Sequence, residues 1–207
     1  MKPFSLRAGI LIVGLAFGLA SCLSSDAPNL SAGDLTEPAG FGGAYFATDF
    51  PEEKSEQAAA DATVEAIGER SFRLTFAEGE RKDAPVVLRL LTLNDGRLLG
   101  VISDPDPTKG AIYSLVTQAS NGSWVFRMID FKPDSRGRTL RDALMRHGAQ
   151  AVDFGTGDPQ HDQIKGALSA ANLRALFSDP DFTQAIETVS GFRLSPTTSA
   201  TAGIALP

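Results

Sequence analysis

Hydrophobic positions along this chain change their spacing near residue 131, and the change divides the body into a strand part and a helix part. Thr63 to Ile67 alternates, and Ser71 to Phe76 puts Phe72, Leu74 and Phe76 on one face with Arg73 and Thr75 on the other. Gly68-Glu69-Arg70 turns the chain between them. Pro85 to Leu93 is almost continuously apolar, as a strand buried on both faces would be. Arg97 to Ser103 follows Asn94-Asp95-Gly96, whose Asp-Gly pair supplies the positive φ angles of a tight hairpin. Ala111 to Gln118 and Ser123 to Ile129 form a second such pair around Asn121-Gly122. Ahead of these, Gly42 to Phe46 reads as a first short strand or as a loop that pins Phe41, Tyr45, Phe46 and Phe50 onto the core. The pattern predicts an antiparallel meander of about six strands.

Beyond Phe131 the apolar spacing lengthens to a helical period. Thr139 is placed to cap a helix carrying Leu140, Ala143, Leu144 and His147, with Gly148 as its stop. Ile164 and Leu168 lie one turn apart in a second helical stretch, and Asn172 can cap the run Leu173 to Phe177. Ser178 is read as the N-cap of a last helix, with Asp181 at its third position and Phe177 stapled onto Phe182. Phe182, Ile186 and Val189 form that helix's apolar stripe, and Gly191 ends it. Strands first and helices second is the α+β class. The meander can close with the Tyr45 segment into a small barrel, but the preferred architecture is a half-barrel or small open barrel with three or four short C-terminal helices packed on its open concave face, where their apolar stripes can be buried.

The N-terminus has a different character. Lys2 and Arg7 give a positive start, and Ala8 to Ala20 is an uncharged apolar stretch of about 13 residues. That is too short to span a bilayer, which takes roughly 20. It closes on Leu19-Ala20-Ser21-Cys22, which contains the only cysteine of the 207-residue chain. This segment resembles the lipobox of bacterial lipoproteins. The resemblance implies that the Cys22 sulfur receives a diacylglycerol, that the chain is cut before Cys22, and that the new amino terminus takes a palmitate-type acyl chain. Because Leu23 stands where an aspartate would favour the inner membrane, it further implies the outer membrane. The expected organisation is a signal peptide at 1–21, a lipidated flexible tether at 22–40 rich in Ser, Ala, Pro, Gly and Asp, one α+β domain at 41–194, and a disordered tail at 195–207.

Charge narrows the partners. Without residues 1–21, which hold Lys2 and Arg7 and no acid, 17 basic side chains face 25 acidic ones, a formal charge of −8. Nucleic acid is therefore not an expected partner. Membrane attachment is expected from acyl chains rather than from a basic surface. With Cys22 consumed, the mature chain has no thiol for catalysis and no internal disulfide.

Candidate chemistry is sparse. Asp104-Pro105-Asp106-Pro107-Thr108-Lys109-Gly110 begins like a calcium loop, but its glycine falls at position seven and Leu115 occupies position twelve. It is read as a hairpin loop. The stretch from His147 through Asp153, Gly155-Thr156-Gly157 and Asp158 to His161 and Asp162 holds both histidines, yet its spacing matches no zinc motif and no phosphate loop. Neither Gly-x-Ser-x-Gly nor Ser-x-x-Lys occurs. Tyr113, Trp124, Phe126 and Phe131 are read as core beneath the helices.

The functional expectation is a lipoprotein of the cell envelope, a non-enzymatic binding or accessory module on the periplasmic face of the outer membrane. It would need no cofactor or metal, and its partner would be another envelope protein or polymer. Gly43-Ala44-Tyr45 followed by antiparallel strands resembles the start of lipocalin-like barrels, although tryptophan is absent there and helices end the chain; this implies a carrier of a small apolar ligand as the alternative. A small envelope hydrolase using His147 or His161 beside Asp153, Asp158 or Asp162 is the remaining one.

Overall fold

The computed structural model describes residues 23–50, 60–78, 81–154 and 163–197. In chain order its strands are β1 (Ser24–Ser25), β2 (Gly43–Phe50), β3 (Ala60–Gly68), β4 (Ser71–Glu78), β5 (Arg81–Lys82), β6 (Val86–Thr92), β7 (Leu98–Ser103), β8 (Ala111–Gln118), β9 (Trp124–Phe131), β10 (Ala151–Asp153), β11 (Gln163–Lys165) and β12 (Ile186–Pro196). Three α-helices are described: α1 (Arg138–Arg146), α2 (Ala170–Leu176) and α3 (Pro180–Ala185). Among these residues no helix is long and apolar enough to cross a membrane.

The α+β class agrees with the structure, but the sheet does more than curl. Eight strands, β2-β3-β4-β6-β7-β8-β9-β12, pair antiparallel in that order, and β12 returns to pair with β2, so the barrel is closed. The expected half-barrel of about six strands is thus corrected to a closed barrel of eight. Closure leaves no open concave face, and the helices lie outside it.

Period-two alternation then sorts every strand into an inner and an outer face. Phe72, Leu74 and Phe76 of β4, Leu88 and Leu90 of β6, Val116 of β8, and Trp124, Phe126 and Met128 of β9 fill the interior with Tyr45, Ala47, Phe192 and Leu194. On the outer wall of β6 to β9, Leu91, Leu99, Val101, Tyr113, Ile129 and Phe131 form a second apolar surface. The helical insert between β9 and β12 covers it with Leu140, Ala143, Leu144, Leu168, Leu173, Leu176 and Phe182. The four aromatic residues read as one core are therefore divided. Trp124 and Phe126 lie inside the barrel, and Tyr113 and Phe131 lie beneath the helices.

The segment expected to be a flexible tether is part of the body from Leu23 to Leu35. Leu23 is buried at 1 % exposure, and its N–H donates to the Ile129 carbonyl at 2.7 Å. Strand β1 pairs antiparallel with β8 and parallel with β11. Ser25 Oγ and Tyr113 Oη are 2.6 Å apart, and burial pushes the Tyr113 phenol up to about 12, so it stays neutral. The Gly166 N–H donates to Asp26 Oδ2 at 2.7 Å, and Leu35 bridges to Leu91. Composition hid this because the polar residues make specific hydrogen bonds while apolar contact comes from a few scattered residues, Leu23, Pro28, Leu30 and Leu35 among them. The chain then inserts Phe41 into the barrel against Phe72 and Trp124, with ring centroids 4.8 and 4.9 Å away. Tyr45 Oη donates to the Phe41 carbonyl at 2.7 Å and holds that plug.

The helix starts also differ. Gly137 rather than Thr139 is the N-cap of α1. Ser169 caps α2 in a reciprocal pair with Asn172. The largest correction concerns β12. The four- and three-residue spacing of Phe182, Ile186 and Val189 mimics a helix, but α3 stops at Ala185 and the chain continues as a strand. Ile186, Thr188 and Val189 are β-branched, and Phe192, Arg193 and Leu194 alternate inward and outward. Gly191 is a bulge residue rather than a helix stop: the register slips between Thr188 and Gly191, and a side chain there would strike the Phe126 carbonyl. The strand also includes Ser195 and Pro196, the first two residues of the expected disordered tail.

Replacing Gly191 with Ala is expected to cost at least about 1–3 kcal/mol, the usual penalty for overpacking. Urea unfolding followed by far-ultraviolet circular dichroism measures it, and a midpoint equal to wild type would contradict the close approach.

Candidate functional site

Helix α1 ends on Arg146 and His147, and the turn from α2 to α3 brings Ser178, Asp179, Pro180 and Asp181 beside them. Together with Ala175 they line a shallow, open cleft of about 460 Å³. Local chemistry fixes each part. The His147 N–H donates to the Ala143 and Leu144 carbonyls at 3.2 Å, and Gly148 leaves the helix at φ 96°. Asp179 is the N-cap of α3, with Oδ1 accepting from the Asp181 N–H at 2.9 Å and Pro180 in the first turn. Ser178, expected in that role, instead donates its hydroxyl to the Arg174 carbonyl at 2.8 Å and accepts from Asn94 Nδ2 at 3.0 Å. The expected staple of Phe177 on Phe182 is present, with centroids 5.1 Å apart.

The second oxygen of Asp179 ties the helices together. His147 Nε2 lies 2.7 Å from Oδ2, and Arg146 reaches Asp179 and Asp181 at 3.0 Å each. The Asp179 side chain is 10 % exposed and that of His147 19 %. Burial works to raise the Asp179 carboxyl, but the His147 bond, the Asp181 N–H and the Arg146 charge together hold it below the ordinary carboxylate value. The Asp181 hydrogen bond raises Arg146 further above its ordinary value, so it stays charged.

A carboxylate only accepts, so Nε2 of His147 donates in this bond. This is an oriented acid–base pair, but the cleft's one hydroxyl, on Ser178, is committed to Arg174 and Asn94. The positive charge of Arg146 is shared between two carboxylates. The cluster's firm work is to bolt α1 to α3 on the outer wall. Among the described residues no group of three or more His, Cys, Asp or Glu side chains is arranged to hold a metal ion.

The barrel interior is the other place where a ligand would be sought. Eight strands enclose just enough space for side chains, or for one small ligand when the side chains are small. Here the space is taken by rings: Phe126 stacks on Phe192 at 4.5 Å, and Phe76 meets the edge of Phe192 at 5.7 Å. At Gly100 an added Cβ would lie 2.5 Å from Ser114 Oγ and 2.9 Å from Val116 Cγ2. Phe126, Leu88, Leu90 and Leu194 have no exposed surface.

Of the residues singled out in the sequence, His147 reaches the cleft, but its partner is Asp179, 32 positions away, and not Asp153, which is exposed on β10. His161, Asp158, Asp162, Gly155-Thr156-Gly157 and Cys22 lie outside the described residues. The sequence signal for Asp179 is Asp-Pro-Asp, an N-cap with proline at the first helical position, one residue after the expected cap Ser178. The Asp104 loop is a hairpin connection, with Lys109 on Asp104 at 3.1 Å and Asp106 Oδ1 accepting from the Thr108 N–H at 3.0 Å. No family model, no curated protein and no solved structure matches the chain.

Substituting Asp179 with Ala removes both the cap and the interhelix bonds and is expected to cost about 1–2 kcal/mol at pH 7. Asn keeps a capping oxygen and should cost less. Since the folded Asp179 carboxyl sits below its unfolded value of about 3.9, its contribution is complete above that pH. It disappears as pH falls through the folded value. Urea midpoints of wild type and Asp179→Asn should therefore converge in acid; a gap independent of pH would contradict the ion pairing.

Proposed function

We propose that the chain is a lipid-anchored protein of the bacterial cell envelope, held through Cys22 on the periplasmic face of the outer membrane. There it acts as a non-enzymatic binding or accessory module for another envelope protein or polymer. The observation that carries the non-enzymatic reading is that, among the described residues, the barrel interior and the cleft are each taken up by the protein's own side chains. Aromatic rings fill the barrel; in the cleft Asp179 is bonded to His147 and Arg146, and the Ser178 hydroxyl to Arg174 and Asn94. What remains to act is the outer surface. Leu19-Ala20-Ser21-Cys22, at the end of an apolar stretch, supports the anchor.

A carrier of a small apolar ligand is the second reading, favoured by the closed up-and-down barrel of eight strands. It requires side chains to give way inside, with Phe41 the first obstacle.

Intact mass of the protein recovered from membranes tests the anchor. The expected wild-type species begins at Cys22 and carries diacylglyceryl and acyl mass, whereas Cys22→Ser is neither lipidated nor cut there. A wild-type species without lipid would overturn the reading.

A further inference from the structure

Leu23 follows the residue proposed to carry the lipid, and it is already inside the fold. Its N–H is bonded to the Ile129 carbonyl at 2.7 Å, and its side chain belongs to the apolar layer between barrel wall and insert. A tether ending at Gly40 would have given the body roughly 20 Å of root-mean-square slack. One peptide step gives about 3.8 Å. We infer that the anchored protein has no tether and lies with its flank on the bilayer, presenting the strip of barrel wall at Leu115, Thr117 and Arg127 to the lipid headgroups. The inference rests on the reading of Cys22 as the acylated residue.

The strip is defined by how β1 enters the wall. Strand β1 pairs with Ala111 and Ile112 of β8, while Leu23 reaches across to Ile129 of β9, so it occupies the gap where β8 and β9 diverge. Those two strands rejoin at Ser114 and Met128. The amino side of Leu23 therefore faces a closed ladder. The interior behind that ladder is filled by Met128 and Val116, which leaves the outward direction. Exposure along the outer wall shows where the insert's cover ends. On β8, Ala111 and Tyr113 are buried, Leu115 is half-buried and Thr117 is exposed; on β9, Phe131, Ile129 and Val125 are buried and Arg127, between the last two, is exposed. Leu23 thus lies at the margin of the cover, next to the exposed strip. Arg193 of β12 stands beside it, paired with Val125.

The mature chain has no cysteine beyond Cys22, so Thr117→Cys and Thr63→Cys each introduce one labelling site, on opposite walls of the barrel. Acylated protein carrying an environment-sensitive fluorophore at either site is reconstituted into phosphatidylethanolamine–phosphatidylglycerol vesicles containing a headgroup-region spin-label quencher. The label at 117 is expected to be quenched severalfold more than the label at 63. A Gly-Ser linker inserted between Cys22 and Leu23 is expected to abolish the difference. Equal or reversed quenching in protein whose mass proves acylation overturns the seating while leaving the anchor intact, and so does quenching that the linker does not change. Absence of lipid mass overturns the anchor, and the seating with it.

Discussion

Strand β12 must pair with β2 along one edge and β9 along the other, and the rest of the structure depends on that double pairing. Without it the meander has two bare edges and an apolar face open to water. With it, the backbone groups of both edges are satisfied and Phe192 slides between Phe76 and Phe126. A buried phenylalanine of this kind contributes on the order of 1.5–3 kcal/mol. The condition for closure is local: one bulge at Gly191, where the Phe126 backbone comes too close for any side chain.

Closure also decides where everything else goes. The polypeptide between β9 and β12 cannot bury its apolar stripes inside a filled barrel, so it covers the outer wall of β6 to β9, which is apolar for that reason. Strand β6 illustrates the result: Leu88 and Leu90 face the interior while Leu91 faces the insert. The N-terminal segment from Leu23 to Leu35 then straps the insert to the wall through Tyr113, Gly166 and Leu91. The bolt of Asp179, His147 and Arg146 serves the same layer by holding two short helices together. A helix of six residues such as α3 has little stability of its own, so such side-chain ties matter to it.

Much of the barrel was legible in the sequence because alternation and turn chemistry agree there. Asp95-Gly96 and Asn121-Gly122 sit at hairpin turns with φ 83° and 80° at their glycines, and the strands fall where period two placed them. The failures have a common physical origin. Val189 lies on a bulged strand whose spacing from Phe182 coincides with a helical repeat, and only its distant pairing with β9 decides between the two. Ser24, Ser25 and Asp26 look like linker residues until β8, β11 and Gly166 are brought to them. The same holds for the cleft. His147 was visible, but Asp179 becomes its partner through packing of α1 on α3 and not through sequence spacing.

The barrel is filled by its own side chains, and the proposed function therefore places binding on its outer surface. Trp124, the only tryptophan, reports on the interior directly, since its ring meets Phe41 in the barrel and is 2 % exposed. The decisive measurement is its fluorescence during titration with a medium-chain fatty acid, with acrylamide quenching recorded alongside. A barrel filled by its own side chains gives blue-shifted emission, poor access to acrylamide and no saturable change on adding the fatty acid. A saturable change in Trp124 emission at one fatty acid per chain would contradict it and make the barrel a container.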